Sequence, residues 1–282
     1  MRRIIQIILT IAVCWFAADV ARAADVSAPA RAVAGSDISL PTTGSGRATL
    51  YLFGPGTAVK KDIELGASVP LSLSHAGRYT AIVNGEQVTF DVVAGPASEI
   101  AFLARPSRVP AATKDVITGT VFLFDNDRNL ATATVPVKFE LGVDGGQPQS
   151  RTIDSKNGVA WIKLDSGRKA GPAHFIATAG NASVRRVVEE TASDPCNLRI
   201  HAQRTKDGVA VETDPVRDCA GNPVPDGTIV TFTATSPQGR DTVDARIKRG
   251  VAKAELPALE SATLSVASGV VVGNEIHVGG GL

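Results

Sequence analysis

Short apolar runs, each closed by turn-forming residues, constrain the fold of this chain more than any other feature. From Ala48 onward, apolar residues alternate with polar ones or form brief β-branched runs, and Gly, Pro, Asn or Asp interrupts them about every eight to twelve residues. Residues 48–53 stop at Gly54, for example, and residues 135–141 stop at Gly142. Beyond the N-terminus no segment shows sustained helical spacing. The pattern predicts an all-β protein of the sandwich type.

An internal repeat divides the chain into units. Residues 137–140, followed by residues 157–160, recur as residues 230–233 followed by residues 249–252, about 90 residues later. That interval is the length of one immunoglobulin-like sandwich. A looser copy of the repeat's ending covers residues 76–85. We therefore expect three tandem immunoglobulin-like β-sandwich domains, with boundaries at residues 24–95, 96–193 and 194–282.

Turn signals support this division. Asn84-Gly85 lies between two alternating runs, and both residue types accept positive φ, so a β-hairpin is expected there. Gly180-Asn181 marks the equivalent turn in the second unit. Pro96 and Pro195 fall where one unit ends and the next begins, and Pro removes a ladder donor at such a junction.

The N-terminus has the layout of a cleaved signal peptide. Arg2 and Arg3 precede an apolar run from Ile4 to Ala18, and small residues lead to a cleavage site before Ala24. This run of about 15 residues is shorter than the roughly 20 that a membrane-spanning helix requires. We expect residues 1–23 to be removed, no transmembrane segment in the mature chain, and export to the periplasm, the cell surface or the medium.

Charge offers no sign of a nucleic-acid or membrane partner. The chain has 29 basic and 28 acidic residues. Loss of residues 1–23 removes three arginines and Asp19, which leaves 26 basic and 27 acidic residues. A net charge near −1 gives no electrostatic reason for binding nucleic acid or an anionic membrane, so we expect no nucleic-acid partner.

Two cysteines remain after Cys14 leaves with the leader. In an oxidising compartment, Cys196 and Cys219 predict one disulfide, which would tie the start of the third unit to a following turn. A metal site is the weaker interpretation, because two thiolates without a neighbouring Cys or His cluster supply too few ligands.

The sequence contains no recognisable catalytic or cofactor-binding motif. His75, His174, His201 and His277 lie far apart along the chain, with no carboxylate or thiol at a spacing that forms a known motif. We therefore expect partly exposed histidines, no cofactor and no enzymatic activity. A hydrolase with an unrecognised site stays as a third interpretation.

Asp125, Asp127 and Asn129 form a weak candidate for calcium. They alternate like the first three ligands of a calcium loop. Leu130 stands where an EF-hand loop needs Gly, however, and no Glu follows at the twelfth position. A connecting turn rich in Asp and Asn is the alternative, so the expectation is no metal.

Two aromatic residues, Tyr79 and Trp161, stand at positions that allow a special role. Tyr79, after Ala76-Gly77-Arg78, is either a tyrosine corner or an ordinary core aromatic. Trp161 could contact a sugar or a partner protein. Its place beside Val159 on a strand favours core packing instead, so Trp161 is only a weak candidate for ligand contact.

The third unit carries a family resemblance. Gly221-Asn222-Pro223-Val224-Pro225, the strand at residues 229–234 and then Gly250-Val251-Ala252 resemble the bacterial Ig-like domain group 1 of invasin- and intimin-type surface proteins. The second unit is similar but has a different turn at residues 125–130, and the first resembles only a generic Ig-like domain. The resemblance implies a spacer, adhesin or interaction module without an active site.

These observations lead to a functional expectation. We expect a non-enzymatic exported protein that meets a protein or glycan partner, through end loops or by β-edge association. A carbohydrate-binding or enzyme-accessory module is the alternative, because it would use Trp161 in a sandwich fold.

Overall fold

A computed structural model describes residues 26–257 and 260–279. The expected signal peptide, residues 1–23, lies outside the described residues. Within them the chain forms strands and turns and no helix, which confirms the all-β prediction. The chain divides into two compact units, Met1–Val93 and Ala94–Leu282. The predicted boundary at 95/96 lies near this division and that at 193/194 falls inside the second unit, and both stay predictions.

The first unit is a sandwich of a five-stranded and a two-stranded sheet, ordered β1-β7-β6-β3-β4 and β2-β5. Every second side chain along a strand faces the opposite sheet. The space between the sheets is filled by Leu50, Leu52, Tyr79 and Phe90, among others. Its strands are β1 (Arg31–Val33), β2 (Asp37–Pro41), β3 (Arg47–Gly54), β4 (Thr57–Glu64), β5 (Ser68–Ser72), β6 (Gly77–Val83) and β7 (Glu86–Val93).

The second unit contains two sandwiches, which we call the second and third sandwiches in chain order. The second sandwich covers β8 to β15. Its sheets are β13-β10-β8 and β12-β11-β14-β15-β9. The strands are β8 (Glu99–Arg105), β9 (Arg108–Pro110), β10 (Ile117–Phe124), β11 (Pro136–Val143), β12 (Gln149–Asp154), β13 (Val159–Leu164), β14 (Gly171–Ala179) and β15 (Ala182–Thr191).

Three phenylalanine rings centre the core of the second sandwich. Phe102 meets Phe175 edge to face at 4.9 Å between ring centroids, and Phe139 lies 6.1 Å from each of them. Such pairs contribute about 1 kcal/mol each beyond burial. Gly119 leaves room for this cluster, because a Cβ there would lie 2.5 Å from the Phe175 ring.

The third sandwich covers β16 to β24. Its main sheets are β17-β18-β22 and β21-β20-β23-β24, and β16 pairs with β19. The strands are β16 (Pro195–Cys196), β17 (Ile200–Arg204), β18 (Gly208–Thr213), β19 (Arg217–Asp218), β20 (Ile229–Ser236), β21 (Gly239–Arg246), β22 (Lys253–Pro257), β23 (Ser261–Ser268) and β24 (Val271–Gly279). Phe232 and Leu264 lie at the centre of its core.

The sequence repeat reappears as a repeat of strand order. The order β4-β3-β6-β7 of the first sandwich recurs as β12-β11-β14-β15 in the second and β21-β20-β23-β24 in the third. The duplicated segments at residues 137–140 and 230–233 lie in β11 and β20, the second strands of their sheets. The tandem sandwiches therefore share one immunoglobulin-like plan.

The predicted turns are present. Asn84 and Gly85, with φ of 50° and 88°, join β6 to β7, and Gly180-Asn181 joins β14 to β15. Tyr79 is a tyrosine corner as well as a core residue, because its buried hydroxyl donates to the His75 carbonyl at 2.9 Å. That bond secures the loop before β6.

Candidate interaction surface

Trp161 lies on the outside of the second sandwich, 61% exposed. The expectation that it packs in the core is wrong. Buried and exposed residues do alternate along this strand, and the buried ones are Ala160, Ile162 and Leu164. Trp161 therefore points away from the facing sheet, as Lys163 does. An inward Trp would have displaced this set of smaller apolar side chains, which pack in the core beside Phe102.

Cross-strand pairing surrounds Trp161 with other apolar side chains. Thr120 on β10 pairs with Trp161 on one side and with Leu103, 51% exposed, on the other. In the next row Phe122 pairs with Val159 and with Ala101 on β8. We call this outward surface the Trp161 face; it consists of Ala101, Leu103, Thr120, Phe122, Val159 and Trp161. Neighbouring strands lie about 4.8 Å apart, so each row, which crosses three strands, is about 10 Å wide.

Basic side chains border the face at one end. Thr118 pairs with Lys163 on β13 and with Arg105 on β8, one row beyond Trp161. In the described part of the chain, neither Arg105 nor Lys163 forms an ion pair. An exposed indole ring beside an aliphatic side chain, hydroxyl groups and two available cations can contact either a protein or a sugar.

One end strand of this sheet is protected by a side chain from the other sheet. Arg186 on β15 donates from Nε to the carbonyl of Phe102, at 3.1 Å, and so occupies an acceptor on β8. Such a contact reduces the capacity of an end strand to pair with another chain. The opposite end strand is β13, which carries Trp161. Association through a strand edge stays a prediction, and β13 is its better candidate.

The calcium candidates form a hydrogen-bonded turn. Oδ1 of Asp125 accepts from the backbone N–H of Asp127 and of Asn129, at 3.0 and 2.8 Å, and Oδ2 accepts from Gly95 N–H at 2.8 Å. The Asn129 amide donates to Oδ2 as well, at 3.0 Å. Burial alone would raise the pKa of Asp125, but the hydrogen bonds from Asn129, Gly95 and Asp127 outweigh it and lower that pKa. These contacts give Asp125 and Asn129 a structural role that requires no cation.

The same turn recurs 93 residues later, at Asp218 and Asn222. Asp218 Oδ1 accepts from the N–H groups of Ala220 and Asn222, and Oδ2 accepts from Ser193 N–H and the Asn222 amide. Ser193 thus takes the place that Gly95 has in the first copy. We call the two copies the Asp–Asn turns; each fastens the backbone that enters its sandwich.

Asn222 also joins the second and third sandwiches. Its Oδ1 accepts from Ala170 N–H and its Nδ2 donates to the Arg168 carbonyl, both at 2.8 Å. One buried amide is therefore hydrogen-bonded to the loop before β14 and to Asp218. Within the described residues these hydrogen bonds connect the second sandwich to the third and fix their contact at this loop.

The disulfide prediction is confirmed. Cys196 on β16 and Cys219, directly after β19, are bonded with their Cα atoms 4.9 Å apart. Because β16 pairs with β19, the bond secures the start of the third sandwich to the same turn that Asp218 organises.

The four histidines are not brought together. His174 pairs with Asp144 at 3.3 Å and His201 with Asp214 at 3.6 Å, while His75 and His277 contact the hydroxyls of Ser74 and Thr263. Over residues 26–257 and 260–279, no three His, Cys, Asp or Glu side chains are placed to hold a metal ion. The described residues also include no helix with the length and hydropathy needed to cross a membrane.

Comparison with known proteins identifies the fold. No protein-family model and no curated protein sequence matches the chain. Solved structures do match. The Escherichia coli adhesin FdeC is 16% identical with a TM-score of 0.60, over 90% of this chain and 98% of FdeC. Yersinia pseudotuberculosis InvD is 14% identical with a TM-score of 0.51, over 90% of this chain and 96% of InvD. At these identities the likeness establishes an all-β, immunoglobulin-like architecture.

Sequence reasoning missed several of these positions. The Asp–Asn turn at Asp218 carried a usable signal, since Asp and Asn recur at the same interval as the strands of the repeat. Arg186 carried none, because its acceptor is a backbone carbonyl 84 positions away.

Proposed function

We propose that this chain is a non-enzymatic exported protein of the bacterial Ig-like type, acting as an adhesin, spacer or interaction subunit in the cell envelope or outside the cell. The observation that carries the proposal is the Trp161 face, an aromatic and aliphatic surface presented on a rigid sheet. The likeness to FdeC, which is described as an adhesin, supports this assignment. The Cys196–Cys219 disulfide supports export.

The exposed indole provides the physical reason. A Trp side chain buries about 150 to 250 Å² when it is fully covered, and 61% of Trp161 is still exposed. Covering the remaining area, roughly 90 to 150 Å², would therefore contribute on the order of 3 kcal/mol at about 25 cal/mol per Å². Leu103 and the half-buried Phe122 extend the apolar contact. An apolar, aromatic centre with a polar rim is the usual anatomy of a protein-binding surface, and Arg105 and Lys163 supply such a rim at one end of the face.

The test is capture of partners from the native envelope and culture medium, with mass spectrometry of the retained material. The chain is compared with Trp161→Ala and with Phe53→Ala, which removes an exposed aromatic, 47% exposed, from the first sandwich. We expect a defined protein that Trp161→Ala loses and Phe53→Ala retains. Capture of nothing by the unaltered chain, or equal capture by all three proteins, would contradict the proposal.

Export is tested separately by cell fractionation and N-terminal sequencing. A mature N-terminus at Ala24 in the periplasm, outer membrane or medium is expected. An intact chain that stays in the cytoplasm would contradict export, whatever the capture experiment shows.

A carbohydrate-binding role is the second candidate, favoured by the ring of Trp161 beside the hydroxyls of Thr118 and Thr120. An indole stacks on the C–H face of a sugar, and hydroxyl groups supply hydrogen bonds. A glycan array would show binding that disappears in Trp161→Ala, with no protein in the captured fraction.

A further inference from the structure

A cleft in the third sandwich is lined by four basic side chains. It is open, has a volume of about 700 Å³, and includes Arg246, Lys248, Arg249 and Lys253, which we call the basic cleft. The cleft lies where β21, the end strand of the four-stranded sheet, approaches β22, the end strand of the three-stranded sheet. All four residues are exposed.

Most of this positive charge is available to a ligand. Arg246, Lys248 and Arg249 form no ion pair with any described residue, whereas Lys253 pairs with Glu212 at 2.8 Å. Arg246 donates from Nη1 to a backbone carbonyl, that of Gly227, at 3.2 Å.

Two carboxylates lie close to these basic groups, Asp244, which itself lines the cleft, and Asp226, and both have other hydrogen-bond partners. Asp244 accepts the Thr231 hydroxyl, at 2.6 Å. Asp226 accepts the backbone N–H groups of Arg249 and Gly250, at 2.9 and 3.3 Å. These carboxylates still reduce the net charge of the region, but they do not bind the side chains of Arg246, Lys248 or Arg249.

The second sandwich provides an internal comparison for the same loop. Lys156 bridges Val159 there as Lys248 bridges Val251 in the third sandwich, with a two-residue turn between them in each case. The four basic positions correspond to one lysine and three uncharged or acidic residues in the second sandwich: Asp154, Lys156, Asn157 and Trp161. The loop therefore forms without the extra basic residues.

Arg249 occupies a backbone conformation that arginine does not favour. Its φ is 52°, and the equivalent Asn157 has a φ of 50°. Asn is several-fold enriched at positive φ, because its short side chain can hydrogen-bond locally, whereas other side chains meet a steric penalty. Local backbone preference favours Asn at position 249, and the arginine found there instead adds a positive charge to the cleft.

We propose that the basic cleft binds an acidic polysaccharide through its sulfate or carboxylate groups. Clusters of Lys and Arg within a few residues are typical of heparin-like and other polyanion sites. The site is separate from the Trp161 face, on another sandwich, and does not depend on the function proposed above.

Other polyanions fit the cleft less well. Single-stranded nucleic acid is held by aromatic stacking, and none of the residues that line the cleft is aromatic. Tight duplex binding uses about six to ten phosphate contacts, more than four side chains provide. A bilayer presents a flat surface, whereas the cleft is concave and suits a chain of sugar rings.

The test uses the full chain, with heparin as the sulfated probe and polygalacturonate as the carboxylate probe. The test variant is Lys248→Gln/Arg249→Asn. It places at position 249 the residue type that the equivalent turn of the second sandwich has, Asn157, so we expect the turn to keep its conformation. The control is Lys114→Gln/Lys156→Gln, which removes the same charge from the second sandwich. We expect the test variant to bind at least one of the two probes about tenfold more weakly, with a salt slope reduced by about two, and the control to bind nearly as the unaltered chain does.

Four results would overturn the proposal. They are failure of the unaltered chain to bind either polysaccharide, an equal loss in the test and control variants, loss of binding in Trp161→Ala, and equally tight cleft-dependent binding of duplex DNA or vesicles of anionic lipid. The last of these would make the cleft a general polyanion site. Failure to capture a protein through the Trp161 face would leave the polysaccharide result unaffected.

Discussion

Replacement of Asp218 by Asn tests the Asp–Asn turn of the third sandwich with a nearly isosteric change. Oδ1 accepts two hydrogen bonds, at 2.8 and 2.9 Å, and Oδ2 accepts three, at 2.9 to 3.4 Å, the longest from the Ser193 hydroxyl. The residue is only 4% exposed. In Asp218→Asn one oxygen remains, and it can still accept from two N–H groups. The other oxygen becomes an NH₂ group that faces the donors of Ser193 and Asn222.

The expected cost follows from these contacts. Each buried donor left without an acceptor costs about 1 to 3 kcal/mol, so two of them should cost about 3 kcal/mol together. That is a large fraction of the 5 to 15 kcal/mol that stabilises a typical domain. Because Asn222 also binds the loop at Arg168 and Ala170, we expect the contact between the second and third sandwiches to loosen as well.

The assay is thermal unfolding combined with hydrogen exchange. At neutral pH we expect an unfolding midpoint lower by about 10 °C and faster exchange at the N–H groups of Ser193, Ala220 and Asn222. Asp241→Asn, an exposed site with the same change in charge, is the control and should leave both measurements unchanged.

The effect of Asp218→Asn should also depend on pH. Burial favours the neutral acid, but the hydrogen bonds from Asn222, Ser193 and Ala220 outweigh it and hold the pKa of Asp218 below its usual value. The stabilisation by Asp218 is therefore present above the unfolded pKa of about 4 and is lost as pH falls through the folded pKa. The difference between the variant and the unaltered chain should shrink in acid. An Asp218→Asn protein with unchanged stability at neutral pH would refute this account of the turn.

Three further predictions concern stability. Cys196→Ala/Cys219→Ala should destabilise the third sandwich by about 3 kcal/mol in the chain-entropy model, and denaturant unfolding of the unaltered chain in a reductant should show the same loss. Tyr79→Phe removes a buried hydroxyl hydrogen bond and should lower the stability of the first unit by about 1.5 kcal/mol, measured as a shift in urea midpoint at constant m-value. Burial raises the pKa of Glu190 more than the Gly167 N–H lowers it, so the contribution of Glu190 is present below its unfolded pKa of about 4.3 and is lost as pH rises. Glu190→Gln should consequently gain stability relative to the unaltered chain between acidic and neutral pH, and a constant difference across that range would contradict this.

Much of the scaffold could be predicted because its signals are local. The strands at residues 137–140 and 230–233 follow from period-two alternation, and Asn84-Gly85 specifies its own turn through positive φ. The outward position of Trp161 was not accessible in this way. Apolar residues occupy both phases of β13, and only the facing sheet determines which phase is buried.

The partners of the Asp–Asn turn illustrate a second limit. Three oxygen-bearing side chains in five residues raised the question of calcium, because sequence spacing shows which groups are close but not which donors reach them. Gly95, which occupies Asp125 Oδ2, lies 30 positions earlier in the chain. The contact exists only after the backbone entering the second sandwich has folded against this turn.

Comparison of the two sandwiches of the second unit separates what the fold requires from what it permits. Asp125 and Asp218 make the same contacts in their respective turns, so these positions serve the scaffold. Trp161 and Lys253 also occupy equivalent positions, on β13 and β22, yet one carries an indole and the other an ammonium group. Since the backbone plan is shared, the fold does not account for this difference. Equivalent strands therefore present an apolar surface in the second sandwich and contribute to a basic cleft in the third, and two surfaces of such different chemistry suit two different ligands.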